Sequence, residues 1–286
     1  MAARLAVLAI IVTGIERLLF ETCGACPDKR DRELTSKLDI SRTFEKGMLV
    51  LNAFDGTQKE MSIADVARRI EIDRAIARRL VHTLVHLGYL YKRGDQYRLS
   101  PKILLLASGF LQSRHFTKTV VPVLNEFSRN LDAPIYLATR DGFHAVYLAH
   151  AALENRAISI GLGVGSRLPV LATGIGRALL LIASEDERYE VMAHAPLERH
   201  TTKSVLDRSV IAQKILEAEE CGYAFADGEF EAGIAALALP FRKSNPFPLA
   251  LGISSECERF SKTYLQTALR TLRSCRDHLA DTVEQF

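Results

Sequence analysis

The chain has 286 residues, of which 48% are hydrophobic and 25% are charged. This composition is typical of a soluble globular protein, and the length accommodates two domains that each bury a core. The formal net charge of +3 is weak, so any affinity for nucleic acid requires local clustering of basic residues. Five cysteines without a framework spacing favour a reducing cytoplasm over an oxidising compartment.

The first 40 residues contain an apolar run, residues 5–12, that is too short to span a bilayer as a helix. No clean cleavage site follows it, so we expect a disordered or dispensable extension. The alternative is an extra helix that packs on a partner subunit. Cys23 and Cys26 form a lone C-x-x-C pair, which is a weak signal for a metal or redox site. We therefore expect no metal, no cofactor and no contact with a membrane.

Residues 61–99 have the pattern of two helices and a hairpin. Ser62 and Asp65 predict the start of a first helix that ends near Ile70, and Asp73 and Gly88 predict the cap and the stop of a second. A hairpin with a basic turn follows over residues 89–99. In this order the elements predict a winged helix-turn-helix. Helical spacing predicts that the second helix buries Ile76, Leu80, Leu84 and Leu87.

The opposite face of the second helix is basic, and its exposed positions carry no acidic residue between residues 74 and 87. Such clustered positive charge binds the phosphate backbone with salt-dependent affinity. The alternative is an ordinary helical hairpin with a solvated arginine face. The predicted DNA contacts are Arg74, Ala75, Arg78, Arg79 and His82 on the helix, with Lys92 and Arg93 on the wing.

Ser100 and Pro101 predict the start of a further helix, because proline is favourable at the first helical position. This helix is apolar on most sides, and a surface of that kind is not left in water. We expect it to join two domains, packing on the winged domain and on its own copy in a dimer. A helix over residues 44–54 is the other predicted interface or core element.

From residue 116 the pattern changes to mixed helices and strands without strict alternation, which favours an antiparallel sheet flanked by helices. Asp141 and Gly142 predict a hairpin turn. Helices are expected over residues 118–131, 173–182, 185–193, 204–221 and 261–283. Strands are expected over residues 134–140, 143–150, 157–161, 234–240 and 249–254. The predicted domains are residues 1–40, an extension; 41–99, the winged domain; 100–115, the linker helix; and 116–286, the second domain.

Two glycine-rich segments are candidate parts of a ligand site. Residues 161–167 do not open into a helix, so they predict a loop beside a pocket and not a nucleotide-binding loop. Residues 172–180 begin a helix whose first amides suit a carboxylate, with Arg167 as the counter-charge. The alternative is that these glycines only allow close packing of helix on sheet. Asp227, Glu229 and Ser254 are further candidate polar groups of the pocket. No constellation of catalytic residues is present, so we expect no enzyme.

Four segments together resemble the IclR family of bacterial transcription regulators: residues 44–54, residues 86–90 with 97–102, residues 167–180 and residues 221–236. Residues 74–80 look most like the branch that controls aromatic-acid breakdown through protocatechuate and β-ketoadipate. The resemblance implies a GAF-like α/β effector domain with a mainly antiparallel sheet, a dimer or dimer of dimers, and a small organic-acid ligand. It places ligand contacts at Gly174, Ile175, Ala226 or Asp227, Ala236, Gly252 and Ser254.

Ala226, Ala236 and Gly252 are less polar than residues that other members carry there, which indicates a more apolar ligand such as an aromatic acid. The expected protein is therefore a cytoplasmic, ligand-responsive regulator of the α+β class that binds a palindromic operator in double-stranded DNA. The alternatives are a constitutive DNA-binding protein without a ligand and an enzyme with an accessory helix-turn-helix.

Overall fold

The structure is a computed structural model that describes residues 40–54, 58–113, 116–151, 162–241 and 247–283. The chain divides into two compact units, Met1–Ser100 and Pro101–Phe286. Residues 1–39 of the expected extension, its C-x-x-C pair and the expected strand at 157–161 lie outside the described residues. Within the described ranges, no helix is long and apolar enough to cross a membrane.

The smaller unit is a winged helix-turn-helix, as predicted. At the start of the helix Ile63–Arg69 the Ser62 hydroxyl accepts from the Asp65 amide while the Asp65 carboxylate accepts from the Ser62 amide, so both hydrogen bonds of a capping box are formed. Asp73 caps the helix Arg74–His86, and Gly88 follows the end of that helix with φ 78°. The elements are α1 Arg42–Asn52, α2 Ile63–Arg69, α3 Arg74–His86, β1 Leu90–Arg93 and β2 Gln96–Leu99.

The buried face of α3 differs from the prediction near both ends of the helix. Leu87 is 47% exposed because it is the capping residue, where the chain leaves the helix, and Ile76 is only half-buried. The residues that α3 buries are Ala77, Leu80, Val81 and Leu84.

The larger unit is built on a six-stranded sheet in the order β5-β4-β3-β8-β7-β6, and every neighbouring pair is antiparallel, as expected. Its strands are β3 Ile135–Asp141, β4 His144–Ala151, β5 Arg167–Pro169, β6 Ala224–Asp227, β7 Ile234–Pro240 and β8 Leu249–Glu256. Its helices are α4 Ile103–Ser113, α5 Phe116–Leu131, α6 Gly174–Leu180, α7 Glu185–His194, α8 Arg208–Cys221, the 3₁₀ turn Cys257–Arg259 and α9 Lys262–Val283.

Two helices start later than the sequence predicts. At α4 the Leu104 amide bonds the Pro101 carbonyl at 3.0 Å, so the chain enters the helix through a tighter turn. At α8 the N-cap is Asp207, while the Ser204 hydroxyl donates instead to the Glu229 carbonyl at 2.8 Å. Two strands, β5 and β6, were not predicted, because three or four residues are too few for an alternating pattern to show.

The two faces of the sheet pack against different helices. One face carries large residues such as Leu237 and Leu251, which pack on α5 and α9. The other face carries small residues such as Ala238 and Ala250, which pack on α6. Because the side chains on this second face are short, α6 lies close to the sheet. It also lies close to the segment that precedes α6 in the chain.

Gly176 of α6 is the position where this close approach is tightest. A Cβ atom there would overlap the Val170 carbonyl. We therefore expect Gly176→Ala to lower the free energy of unfolding by about 1–3 kcal/mol, as overpacking does. Gly47→Ala is the matched control, since a Cβ at Gly47 in α1 meets nothing within 4 Å. Urea unfolding followed by far-UV circular dichroism compares the two variants, and equal stability of Gly176→Ala and the wild type would contradict this packing.

Candidate functional site

The exposed face of α3 carries positive charge that has no acidic partner in the part of the chain that the structure describes. Arg74, Arg78 and Arg79 are exposed, and none of them forms an ion pair with an acidic side chain of the described chain. The nearest acid in sequence, Asp73, is engaged as the N-cap and accepts from the Ala75 amide at 2.7 Å. The N-terminal half of α3 therefore offers its guanidinium groups to an external anion, and this is the half that enters the major groove in helix-turn-helix proteins. His82 and Ala75 are exposed beside these arginines.

The wing carries a second group of cations, one of which is partly neutralised. Met61 and Tyr97 exchange backbone hydrogen bonds of 3.1 and 2.8 Å, which hold the preceding Glu60 beside β2. Glu60 pairs with Arg98 and lies 3.8 Å from Arg93 Nη1. Lys92 is exposed and has no acidic partner within the described ranges.

A pocket lies in the larger unit between the sheet and the start of α6. Its empty volume is about 530 Å³ when the space that is open to solvent is included. Neighbouring strands place Ala236 beside Ser254, and Ala238 beside Gly252, so the sheet contributes mainly small residues to the pocket. The apolar lining is completed by Tyr136, Tyr147, Leu162, Leu168, Ala172, Ile175, Ala226, Phe230, Ile234, Leu237 and Ile253.

The polar groups of the pocket are mostly hydroxyls. Tyr136 and Tyr147 stack with ring centroids 4.6 Å apart and planes at 17°. Burial raises the pKa of both phenols above the usual range, with a further rise from the negative charge of Glu231. Ser254 lies beside the Tyr136 phenol, and its hydroxyl partly offsets this rise in the pKa of Tyr136.

A buried ion pair closes one side of the pocket. Arg177 of α6 and Glu229 are 1% and 4% exposed, and Arg177 Nη1 donates to Glu229 Oε1 at 3.1 Å. Arg177 Nε donates to the Leu171 carbonyl at 2.9 Å, and Lys214 Nζ lies 3.2 Å from Glu229 Oε1. This role of Arg177 was not predicted from the sequence, although a lone cation inside an apolar helical run indicates a buried partner.

The structure brings together four of the predicted ligand contacts, namely Ile175, Ala236, Gly252 and Ser254. Gly174 is not a lining residue. A Cβ atom there would lie 2.9 Å from the Ala236 carbonyl oxygen, so this glycine serves close packing of helix on sheet.

Of the three predicted charged groups of the pocket, Glu229 lines it, whereas Arg167 and Asp227 lie elsewhere on the surface of the larger unit. Arg167 pairs with Asp141 at 3.1 Å, and Asp227 pairs with Lys203 at 2.9 Å. Neither lines the pocket, whereas Ala226, the alternative to Asp227, does. The two stacked tyrosines of the pocket were not predicted, because their contact joins two strands and leaves no local signal.

A winged helix-turn-helix whose basic helix face has no acidic partner among the described residues, followed by a unit with a pocket, is typical of one-component transcription regulators. A model of the IclR helix-turn-helix domain matches residues 43–94, and a model of the bacterial transcriptional regulator IclR C-terminal domain matches residues 108–280. The chain belongs to the IclR family of bacterial transcriptional regulators. It is accordingly a DNA-binding regulator, and its family is regulatory and not enzymatic.

Curated relatives agree with this assignment. The Pca regulon regulatory protein of Pseudomonas putida is 32% identical over 243 residues, which cover 85% of this chain and 84% of that protein. The p-hydroxybenzoate hydroxylase transcriptional activator of Acinetobacter baylyi is 28% identical over 86% of this chain and 93% of its own length.

Solved structures share the fold. An IclR family regulator from Brucella abortus superposes with a TM-score of 0.74 at 23% identity, covering 91% of this chain and 97% of its own. An IclR homolog from Microbacterium hydrocarbonoxydans, solved in complex with 4-hydroxybenzoate, superposes with a TM-score of 0.68 at 22% identity, covering 85% of this chain and 100% of its own.

Proposed function

We propose that this chain is a cytoplasmic regulator of a catabolic operon that senses a small aromatic or dicarboxylic acid. The observation that carries the proposal is the pocket between the sheet and α6, which is lined largely by apolar and aromatic residues. Two relatives support the aromatic class: one is named for the activation of p-hydroxybenzoate hydroxylase, and the other was solved with 4-hydroxybenzoate. Of the predicted contacts, Ile175, Ala236, Gly252 and Ser254 are the ones that we assign to the ligand.

Binding in this pocket should stabilise the protein by mass action. At a ligand concentration of 100 times Kd the gain is about 2.7 kcal/mol, which raises Tm by about 5–10 °C. Ala236→Leu fills the pocket with an apolar side chain and should abolish this shift. Ala193→Leu, at an exposed position of α7, is the matched control and should keep it. The measurement is thermal unfolding of the full chain with aromatic and dicarboxylic acids. A folded wild type that none of them stabilises would favour the constitutive DNA-binding alternative.

The proposed DNA contacts follow from the charge of α3 and the wing. Arg74, Arg78 and Arg79 contact the major groove, assisted by Ala75 and His82, while Lys92 and Arg93 contact the backbone or minor groove. The support is the absence of acidic partners for the three arginines among the described residues. Glu60 lies near Arg93 and partly neutralises its charge. Of the two wing residues, we therefore expect Arg93 to contribute less to DNA affinity.

Arg78 lies near the middle of the basic face, and a base-reading arginine contributes about 1–3 kcal/mol. Arg78→Ala should weaken operator binding by that amount and relax sequence preference at one position. Arg270→Ala, an exposed arginine of α9, is the matched control and should change neither. The measurement is a mobility-shift titration at fixed salt, with DNA recovered from cells and a scrambled duplex. Unchanged affinity and preference would remove Arg78 from this role.

We also propose that two copies pair through α4. Leu104 and Leu105 are each 67% exposed and Leu106 is 56% exposed, so one helix leaves three adjacent leucines uncovered in the single chain. A soluble protein rarely leaves such a surface in water, and a second copy of the same helix covers it symmetrically. Paired helix-turn-helix units then bind a palindrome with half-sites about 34 Å apart.

Leu105→Glu places a charge in the proposed contact between copies and should lower the mass of the assembly. The wild type should sediment at twice or four times 31.8 kDa, and the variant at a lower multiple. Val164→Glu, at an exposed apolar residue of the loop before β5, is the control and should leave the mass unchanged. Sedimentation equilibrium of the full chain decides, and a monomeric wild type or an unaffected Leu105→Glu variant argues against the pairing.

A further inference from the structure

Glu71 lies in the turn that joins α2 to α3 and holds a backbone conformation that favours glycine. Its φ is 54°, in the left-handed region, and the next amide, that of Ile72, donates to the Ala67 carbonyl at 3.0 Å. A hydrogen bond of this kind closes a helix end at which the left-handed position usually carries glycine. A residue with a Cβ atom is strained there. Folding of the turn therefore does not explain a glutamate at this position.

A comparison with Asp132 shows that the side chain of Glu71 has no structural role of the same kind. Both residues combine a Cβ atom with a positive φ. Asp132 has φ 52°, and its carboxylate pairs with Arg259 at 3.2 Å while its carbonyl accepts from the same guanidinium at 2.6 Å. Glu71 is exposed and forms no ion pair or side-chain hydrogen bond with a described residue. Uncompensated strain at an exposed charged residue is characteristic of a functional position.

The place of Glu71 in the winged domain puts its charge near the DNA backbone. In helix-turn-helix proteins the first helix crosses the backbone and the start of the second contacts base edges, so the turn between them lies close to phosphates. Glu71 is three residues before Arg74, where α3 begins. Asp73, in the same turn, is engaged as the N-cap of α3. Repulsion between a carboxylate and a phosphate is significant within the screening length of about 8–10 Å.

We propose that Glu71 limits the affinity of the protein for DNA, because its carboxylate repels the phosphates that the arginines of α3 attract. The inference rests on the proposed function, in which the start of α3 contacts the major groove. The repulsion does not depend on base sequence, so it weakens binding to the operator and to other DNA alike. A coupling of about 5–150-fold releases an operator only when the starting affinity is moderate. Glu71 thus keeps DNA binding within the range that an effector can switch.

Glu71→Gln removes the charge and keeps the size of the side chain and the strained backbone. It should tighten binding to operator DNA and to a scrambled duplex by a similar factor, about 3- to 10-fold at physiological salt. The plot of log affinity against log salt concentration should become steeper by up to about one per bound copy. The measurement is a mobility-shift titration of the full chain at several salt concentrations, with DNA recovered from cells and a scrambled duplex. Glu190→Gln, at an exposed residue of α7, is the matched control for net charge and should change neither value.

Glu71→Gly separates the effect of the charge from that of the backbone strain. It should tighten DNA binding as Glu71→Gln does. It should also raise the Tm of the full chain by about 2–4 °C, because glycine adopts a positive φ without strain. Glu71→Gln keeps the strain and should leave Tm unchanged. Tighter DNA binding by Glu71→Gly alone would assign the effect to the conformation of the turn and overturn the role of the carboxylate.

The other outcomes separate this inference from the proposed DNA contacts. If Arg78→Ala weakens operator binding while Glu71→Gln leaves affinity and salt dependence unchanged, the contacts stand and the inference is overturned. If Glu71→Gln weakens binding to the operator and not to the scrambled duplex, Glu71 contacts a base, and its role in limiting affinity is overturned. If neither substitution alters binding, both the proposed contacts of α3 and the role of Glu71 are overturned.

Discussion

The larger unit depends on one buried ion pair, Arg177 with Glu229. Two charges that are almost completely removed from water are tolerated only when their hydrogen bonds are nearly all satisfied, and losing one partner typically costs about 3–5 kcal/mol. Arg177 meets this demand by donating to Glu229 and to the Leu171 carbonyl, and Lys214 adds a second cation. The pair thereby fixes α6, the segment before it and the turn between β6 and β7 in one arrangement. Those are the segments that carry Thr173, Ile175 and Phe230 into the lining of the pocket.

With its rim fixed by the ion pair, the pocket exists because the sheet supplies short side chains beneath it. A Cβ atom at Gly252 would lie 3.2 Å from Ile175 Cδ1 and 3.3 Å from Ala238 Cβ, so even one added carbon crowds the interior there. Glycine at residue 252 therefore lets Ile175 and Ala238 pack closely at the base of the pocket, and a larger residue there would have to displace one of them.

Local signals predicted the smaller unit well and the pocket poorly. The Ser62–Asp65 capping box, the Asp73 cap and the glycine stop at residue 88 each depend on residues within a few positions, so the sequence shows them directly. The same holds for the hairpin between β3 and β4. By contrast, β5 and β6 are held by pairing with β4 and β7, which a three- or four-residue pattern does not reveal.

The candidate ligand contacts show the same limit. Ala236, Gly252 and Ser254 followed from the family resemblance, whereas the stacked pair of Tyr136 and Tyr147 arises only from the register of β3 on β4. That register contains an irregularity between Leu137 and Ala138, which no composition pattern predicts. Arg167 and Asp227 are charged residues of the kind expected in a binding site for an acid. At their positions on the surface, however, they form ion pairs with Asp141 and Lys203, respectively. Charge in a sequence therefore identifies candidates, and only the sheet register decides which of them reach the pocket.

The separation of the two sites constrains how regulation works. The basic face of α3 belongs to Met1–Ser100 and the pocket to Pro101–Phe286, so no residue of the described chain serves both. An effector can change DNA affinity only to the extent that it binds one conformational state of the protein more tightly than another. A coupling of about 1–3 kcal/mol corresponds to a change of about 5–150-fold in affinity. Under the proposed pairing through α4, both copies must present α3 at a fixed half-site spacing. A ligand therefore needs only to alter the balance between paired arrangements, and the contacts of α3 with DNA can stay unchanged.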